Sequence, residues 1–97
     1  MSASILMNAQ ANVLCHNYEE AETLYREYLT SNAQDASVWT LLGAVLIKEQ
    51  KFYEAVDAYT TALDLDKENP EYLYSLGTAL ARLHEYEEAR ALFERAA

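Results

Sequence analysis

Residues 36–69 read ASVWTLLGAVLIKEQKFYEAVDAYTTALDLDKEN, and the chain on either side repeats this pattern in register. A shift of 34 positions in either direction brings residues of similar size into the same columns. Two columns hold small residues and two hold aromatic residues: Ala9/Gly43/Gly77, Ala21/Ala55/Ala89, Tyr18/Phe52/Tyr86 and Tyr25/Tyr59/Phe93. A fixed period of this length indicates a repeat protein, whose units stack to bury faces that one unit cannot bury alone.

Each repeat is expected to form a pair of helices, because apolar residues recur at helical spacing on both sides of a short polar turn. The small residues then lie where the two helix axes cross, and an aromatic side chain of the neighbouring helix fills the gap. Asp35 and Asn69 are expected to be N-caps, with Pro70 at a first helical position that needs no amide. We expect helices at residues 2–16, 18–30, 36–49, 52–65, 70–83 and 86–97.

The 34-residue period resembles the tetratricopeptide repeat, whose pattern is matched here by Trp39, Leu42-Gly43, Ala55, Tyr59 and Ala62. The resemblance implies an all-α, right-handed superhelical solenoid of three antiparallel helix pairs, about six helices in all. We expect a single domain over residues 1–97, with repeats at about 2–35, 36–69 and 70–97, the last of them incomplete.

The first repeat departs from the pattern at Asn8 and Asn12, where the other two repeats carry leucine. One interpretation is that these side chains face water at the end of the solenoid. The alternative is that the asparagine pair projects from the helix and forms hydrogen bonds with the backbone of a ligand.

The formal net charge of −9 disfavours nucleic acids and membranes as partners, because both need a basic protein surface. The acidic residues crowd the second helices, where they either form a solvated outer face or steer the chain toward a basic partner. No apolar run approaches the length of a membrane span, and no secretory signal is evident, so we expect a cytoplasmic protein. A single cysteine excludes an internal disulfide.

No group of residues has the spacing of a catalytic or metal site, so we expect no enzymatic activity and no cofactor. Cys15 and His16 are neighbours in sequence, and on a helix their side chains would point about 100° apart. We expect both to pack in the core or the turn, and the shared column of His16 and His84 predicts a turn role. The run from Asp64 to Glu68 begins like a calcium loop but lacks its later glycine and glutamate.

In tetratricopeptide proteins the first helices of successive repeats line a concave groove that holds an extended peptide. The resemblance gives this role to Leu6, Gln10, Val13 and Leu14 of the first repeat, Thr40, Ala44, Ile47 and Lys48 of the second, and Tyr74, Thr78, Ala81 and Arg82 of the third, together with Ala3, Ser37 and Glu71. The predicted groove is apolar at its floor, with two cations along one rim. Alternatively, Leu6, Val13, Leu14 and Ile47 serve partly in packing.

Some tetratricopeptide proteins use Lys, Asn and Arg side chains to grip the acidic C-terminal tails of heat-shock chaperones. The corresponding positions in this sequence hold Leu6, Gln10, Leu41, Glu71 and Ser75. Only Gln10 could partly substitute for the missing donors, so we expect no specific binding of such tails.

The sequence thus predicts a protein-interaction module or chaperone that binds an extended, partly apolar peptide of a partner protein. Small acidic three-repeat proteins of this kind resemble the bacterial chaperones of type III secretion. The alternative is a self-assembling structural unit or a fragment of a larger scaffold, because nothing in the sequence covers the last helix. Leu92 and Phe93 are then the expected contacts of a homo-oligomer.

Overall fold

The computed structural model describes residues 2–97, which form six helices and no strand. Short turns join the helices into three antiparallel pairs, and α2 and α4 also pack on the first helix of the next pair. The helices are α1 (Ser2–Leu14), α2 (Tyr18–Ser31), α3 (Ala36–Lys48), α4 (Phe52–Leu65), α5 (Pro70–Arg82) and α6 (Tyr86–Ala96). This all-α arrangement confirms the predicted fold class. Within the described residues, no helix combines the length and apolar character needed to cross a bilayer.

The small-residue columns lie at the crossings of the paired helices, as predicted. A β-carbon placed on Gly43 would lie 2.5 Å from the ring of Tyr59, and one on Gly77 would lie 2.6 Å from the ring of Phe93. Both distances are well inside van der Waals contact, so a β-carbon at either position would force the ring of the paired helix to shift. Ala9 occupies the same column in the first repeat and is fully buried.

The turn within each pair is closed by a residue in the left-handed region: His16 at φ 64°, Gln50 at φ 64° and His84 at φ 66°. The amide of His16 donates to Val13 O at 3.0 Å, and the next amide, of Asn17, donates to Asn12 O at 2.8 Å. Equivalent bond pairs close α3 and α5. These bonds satisfy carbonyls at the helix C-terminus and reverse the chain. The predicted turn role of both histidines is therefore confirmed, and α1 ends two residues earlier than expected.

The connections between repeats confirm one predicted N-cap and correct the other. The Asn69 side chain accepts from the amides of Glu71 and Tyr72 at 2.9 and 3.4 Å, and Pro70 occupies the first turn. Asp35 precedes α3 but makes no side-chain cap bond. Its carboxylate instead accepts from the hydroxyl of the buried Tyr28 at 2.8 Å, so Asp35 joins α2 to the start of α3.

Candidate functional site

The first helices of the second and third repeats are neighbours, because α3 packs directly on α5 as well as on α2 and α4. Helix α1 lies beside α3 at a pocket that residues of both helices line. The face formed by the outward side chains of α1, α3 and α5 is called the groove here. Of the predicted groove residues, Gln10, Leu14, Ala44, Lys48, Tyr74 and Arg82, with Ser37 and Glu71, are exposed, and Leu6, Val13, Thr40, Ile47, Thr78 and Ala81 are partly buried. The side chain of Ala3 lies outside the described part of the structure. In the structure this face is therefore accessible to solvent. Its role in binding a ligand stays a prediction.

Some predicted groove residues also stabilise the fold. Leu6, Val13 and Ile47 pack against the buried core while keeping part of their surface in water. Leu14 does not, since 82% of its surface is exposed. The packing role expected for these residues therefore holds for three of them and is wrong for Leu14.

The two groove threonines are already hydrogen bonded within their own helices. Thr40 Oγ1 donates to Ser37 O at 2.6 Å, and Thr78 Oγ1 donates to Tyr74 O at 3.0 Å. Each hydroxyl keeps lone pairs that can accept hydrogen bonds. These side chains can accept from the N–H groups of an extended peptide, but donation would require breaking an existing bond.

An apolar pocket of about 120 Å³ opens between α1 and α3. Its lining combines predicted groove residues with aromatic side chains of α2: Val13, Tyr18, Tyr25, Leu41, Ala44, Val45 and Lys48. Leu41 was named above only as a position that lacks a clamp donor, but it also lines this pocket and is 37% exposed. The pocket offers mostly apolar surface, with the Lys48 ammonium and the hydroxyls of Tyr18 and Tyr25 as the polar groups of its lining residues.

A larger and more polar cleft of about 520 Å³ lies at the N-terminal end of α5. It is lined by Thr40, Pro70, Glu71, Tyr72, Tyr74, Ser75 and Ala96. The Tyr74 ring is 62% exposed and rests against Phe93, with ring centroids 5.3 Å apart. This contact fixes an aromatic surface at the third-repeat end of the groove.

The rim cations Lys48 and Arg82 occupy equivalent positions in successive repeats. In the part of the chain that the structure describes, neither has a carboxylate oxygen within 4.0 Å, and the same is true of Lys67 and Arg90 outside the groove, whereas Arg26, Lys51 and Arg95 are paired. The Arg82 guanidinium lies over the Phe52 ring, 5.8 Å from its centroid, which holds it by a cation–π contact. Both positive charges are therefore available to an anionic ligand.

A network of charged side chains joins the first two repeats, and sequence reasoning missed it. Glu22 accepts from Arg26 Nε at 2.8 Å and from Lys51 Nζ at 2.9 Å, and Arg26 also reaches Glu54 at 2.9 Å. Glu49 lies 3.6 Å from Lys51, with one carboxylate oxygen buried and without a hydrogen-bond partner among the described residues. The Glu22 side chain is only 13% exposed, so it does not belong to a solvated acidic face.

Two carboxyl groups of this network have strongly shifted pKa values. Burial raises the pKa of Glu49, and the adjacent Glu22 carboxylate raises it further, to about 6. Burial acts on Glu22 in the same direction, but hydrogen bonds from Arg26 and Lys51 outweigh it and lower the Glu22 pKa to about 2. The only sequence signal was the spacing of Glu22 and Arg26, four residues apart on α2.

The remaining polar candidates are bonded within the chain. The Asn12 amide donates to the backbone and side-chain oxygens of Asn8 at 2.9 and 3.1 Å, so this pair is bonded to itself. That favours the water-facing interpretation over ligand binding. Cys15 is exposed in the turn that follows α1, which agrees with the turn alternative expected for it and not with the core alternative. Among the described residues no three His, Cys, Asp or Glu side chains are grouped to hold a metal.

The predicted self-association residues do not form a free surface. Leu92 is 9% exposed and belongs to the core, and Phe93 lies over Gly77. A change at Leu92 would therefore act on the fold. Self-association through α6 stays a prediction and would have to use exposed residues such as Tyr86, Arg90 and Glu94.

A model of the family described as Anaphase-promoting complex, cyclosome, subunit 3 matches residues 14–96. Protein O-mannosyl-transferase TMTC3 of Homo sapiens is 34% identical over 71 residues, which is 73% of this chain and 8% of that protein. The general transcriptional corepressor trfA of Dictyostelium discoideum is 37% identical over 59 residues, which is 61% of this chain and 4% of that protein. The chain thus spans less than a tenth of the length of these relatives.

Solved structures with the same architecture include the second TPR of Spaghetti (RPAP3) bound to HSP90 peptide SRMEEVD, with a TM-score of 0.90 at 24% identity, covering 98% of this chain and 88% of that one. The CopN-Scc3 complex gives a TM-score of 0.92 at 23% identity, covering 98% and 56%. MamA gives 0.92 at 19% identity, covering 99% and 56%. Similarity at these identities establishes the fold, and it confirms the predicted tetratricopeptide solenoid.

Proposed function

Since the chain belongs to the family described as Anaphase-promoting complex, cyclosome, subunit 3, a tetratricopeptide-type family, we propose that it is a protein-interaction module that holds an extended segment of a partner in its groove. The observation that carries this proposal is the chemistry of the groove. It exposes apolar, aromatic and hydroxyl groups with two unpaired cations, on a chain whose net charge is −9.

The character of these groups suits an extended peptide. Apolar side chains of a bound segment can enter the pocket between α1 and α3 or rest on Tyr74, and its amides can donate to Thr40 and Thr78. Backbone bonds of this kind provide affinity, while pockets for side chains provide specificity. One similar solved structure is described as bound to an HSP90 peptide. The clamp positions of this chain lack the donors for such an acidic tail, and we propose a different ligand.

We propose that this segment itself is not catalytic. The transferase name of one relative describes a protein of which the matched stretch is 8%. Chaperone activity, action in type III secretion and a place in the cytoplasm remain predictions of the sequence, to be tested once a partner is known.

The proposal is tested by selecting peptides from a phage-displayed random library with the wild-type chain and measuring their affinity by fluorescence anisotropy. Tyr74→Ala removes an exposed aromatic ring from the groove and should weaken binding about tenfold, as expected for an aromatic hot-spot residue. Tyr53→Ala removes an even more exposed ring from α4, outside the groove, and should leave the affinity unchanged. Peptides that bind the Tyr74→Ala variant as well as wild type would place the site elsewhere.

A further inference from the structure

The groove is not uniform along its length, because the residues around its apolar pocket change from one repeat to the next. Leu41, Ala44 and Val45 line the pocket between α1 and α3. One repeat on, the same columns hold Ser75, Thr78 and Ala79. The apolar lining of this pocket is therefore specific to the junction of the first two repeats.

The pocket volume of about 120 Å³ sets what can enter it. An apolar cavity of about 150 Å³ holds a benzene molecule, so this pocket has room for one aliphatic side chain but not for an indole ring. The polar groups of its lining residues are the Lys48 ammonium and the hydroxyls of Tyr18 and Tyr25. The rest of the lining is aliphatic, with Val13, Leu41, Ala44 and Val45, and can contact an aliphatic side chain.

The charge along the rim changes at the pocket. The rim column holds Leu14 in the first repeat, Lys48 in the second and Arg82 in the third. Leu14 is 82% exposed, and the two cations have no carboxylate partner within the described residues. Of the four cations without a carboxylate partner among the described residues, Lys48 and Arg82 are the two on the first helices, so they are the groups of the groove that complement an acidic ligand.

We infer that the pocket between α1 and α3 is the anchor site for one aliphatic side chain of an extended peptide whose acidic residues lie on one side of that anchor, along Lys48 and Arg82. This inference rests on the proposed groove function and adds the sequence pattern of the partner. An acidic residue on the other side of the anchor would lie near Leu14 and gain no charge partner.

The test uses the library-selected peptides in a double-mutant cycle. The selected sequences should share an aliphatic residue followed or preceded, on one side only, by Asp or Glu. Replacing that aliphatic residue by Ala should weaken binding to the wild-type chain about tenfold, in the range for a buried anchor. Ala44→Phe fills the pocket and should weaken binding of the parent peptide by a similar factor. When the protein already carries Ala44→Phe, replacing the aliphatic residue of the peptide by Ala should weaken binding little further, because the two changes remove the same contact.

Two controls keep the result interpretable. Ala91→Phe adds the same ring at an exposed position of α6, outside the groove, and should bind like wild type. The thermal melting of each variant checks that it folds. Lys48→Glu gives an independent cycle. The parent peptide should bind wild type more tightly than Lys48→Glu, and a peptide whose acidic residues are replaced by Ala should bind the two proteins equally. Failure of either cycle would overturn the inference.

The outcomes separate the inference from the proposed function. If Tyr74→Ala weakens binding while the parent peptide binds Ala44→Phe normally, the groove is the site and the anchor assignment is wrong. If neither variant affects binding, the groove itself is not the site and both ideas fall. If the selected peptides share aromatic or basic residues without an aliphatic anchor, the pattern inferred for the partner is wrong.

Discussion

Gly43 and Gly77 are the residues at which this fold leaves least room for a side chain. Each faces the aromatic ring of the paired helix at a distance that excludes a β-carbon. The rings themselves differ in freedom, since Tyr59 is 6% exposed and Phe93 is only partly buried. Ala9 occupies the same column in the first repeat, so the need for glycine depends on how closely each helix pair approaches and not on the repeat pattern itself.

Gly43→Ala should lower the free energy of unfolding by about 1–3 kcal/mol, the usual cost of overpacking. The gain in helix propensity, about 1 kcal/mol, offsets part of that cost. Gly77→Ala should be less harmful, because the Phe93 ring can turn toward solvent. Urea unfolding followed by circular dichroism measures both values. A larger loss for Gly77→Ala than for Gly43→Ala would contradict this ranking.

Gln50 closes the second helix pair in a conformation that L-residues disfavour, at φ 64°. The left-handed region costs a non-glycine residue about 1–2 kcal/mol, while glycine loses about 0.5–1 kcal/mol more backbone entropy on folding. Gln50→Gly should therefore stabilise the chain by about 0.5–1 kcal/mol.

His84→Gly is the matched comparison for Gln50→Gly, because His84 lies in the same column at φ 66°. His84→Gly should stabilise the chain less than Gln50→Gly, since it also removes the hydrogen bond of 2.7 Å between His84 Nδ1 and the Tyr86 hydroxyl. The thermal midpoints of the two variants, measured side by side, test this order. No gain in either variant would show that the turn residues are not strained.

At the scale of helices and turns, the repeat columns predicted the limits of the helices, which depend on neighbouring residues. They did not predict the side-chain contacts between different helices. Helix limits followed from apolar spacing and from Asn69 and Pro70, whose effects act within one turn. The role of Asp35 was mispredicted because its partner, Tyr28, comes from the preceding helix. The groove residues were indicated by the family pattern, while the pocket beside Ala44 depends on side chains of three helices and is not evident in any one segment.

The Glu22–Glu49 pair at the junction of α2, α3 and α4 makes the stability of the chain depend on pH. The Glu49 pKa is raised to about 6, so its favourable neutral form is present below pH 4.5 and is lost as the pH rises through 6. The Glu22 pKa is lowered to about 2, so its contribution is present above pH 4.5 and is lost as the pH falls toward 2. The two groups together favour a stability maximum near pH 4.5.

Glu49→Gln should raise the free energy of unfolding at pH 7 by about 1–2 kcal/mol, because it removes the ionised carboxylate that lies nearly buried beside Glu22. The difference from wild type should vanish at pH 4, where Glu49 is protonated. Urea unfolding at pH 4, 5, 6 and 7 measures it. Glu87→Gln, an exposed site on α6, serves as the control for a change in net charge. A loss of stability at pH 7 that disappears at pH 4 would show that the ionised Glu49 stabilises the chain through its ion pair with Lys51 instead.

The described residues form a stack of 40 × 24 × 18 Å in which the helices pack mainly within each pair and between successive pairs. In such a stack, stability is the sum of the repeats and the interfaces between them. The junction of the first two repeats is held partly by the charged network around Glu22. The equivalent positions of Glu22 and Glu49 at the next junction hold Val56 and Leu83, so the two interfaces should respond differently to pH and salt.

The chain should be monomeric in solution at all accessible concentrations. Leu92 is buried in the core, Arg90 and Glu94 face outward on α6, and the net charge of −9 makes two copies repel each other. Light scattering over a concentration series measures the molar mass, and a constant value near 11.0 kDa is expected. Raising the salt concentration screens the repulsion between copies. A chain that stays monomeric in high salt therefore has no attractive contact surface on α6, whatever its charge. A mass that rises with concentration in salt and falls back in the Tyr86→Ala variant would instead identify α6 as an interface between copies.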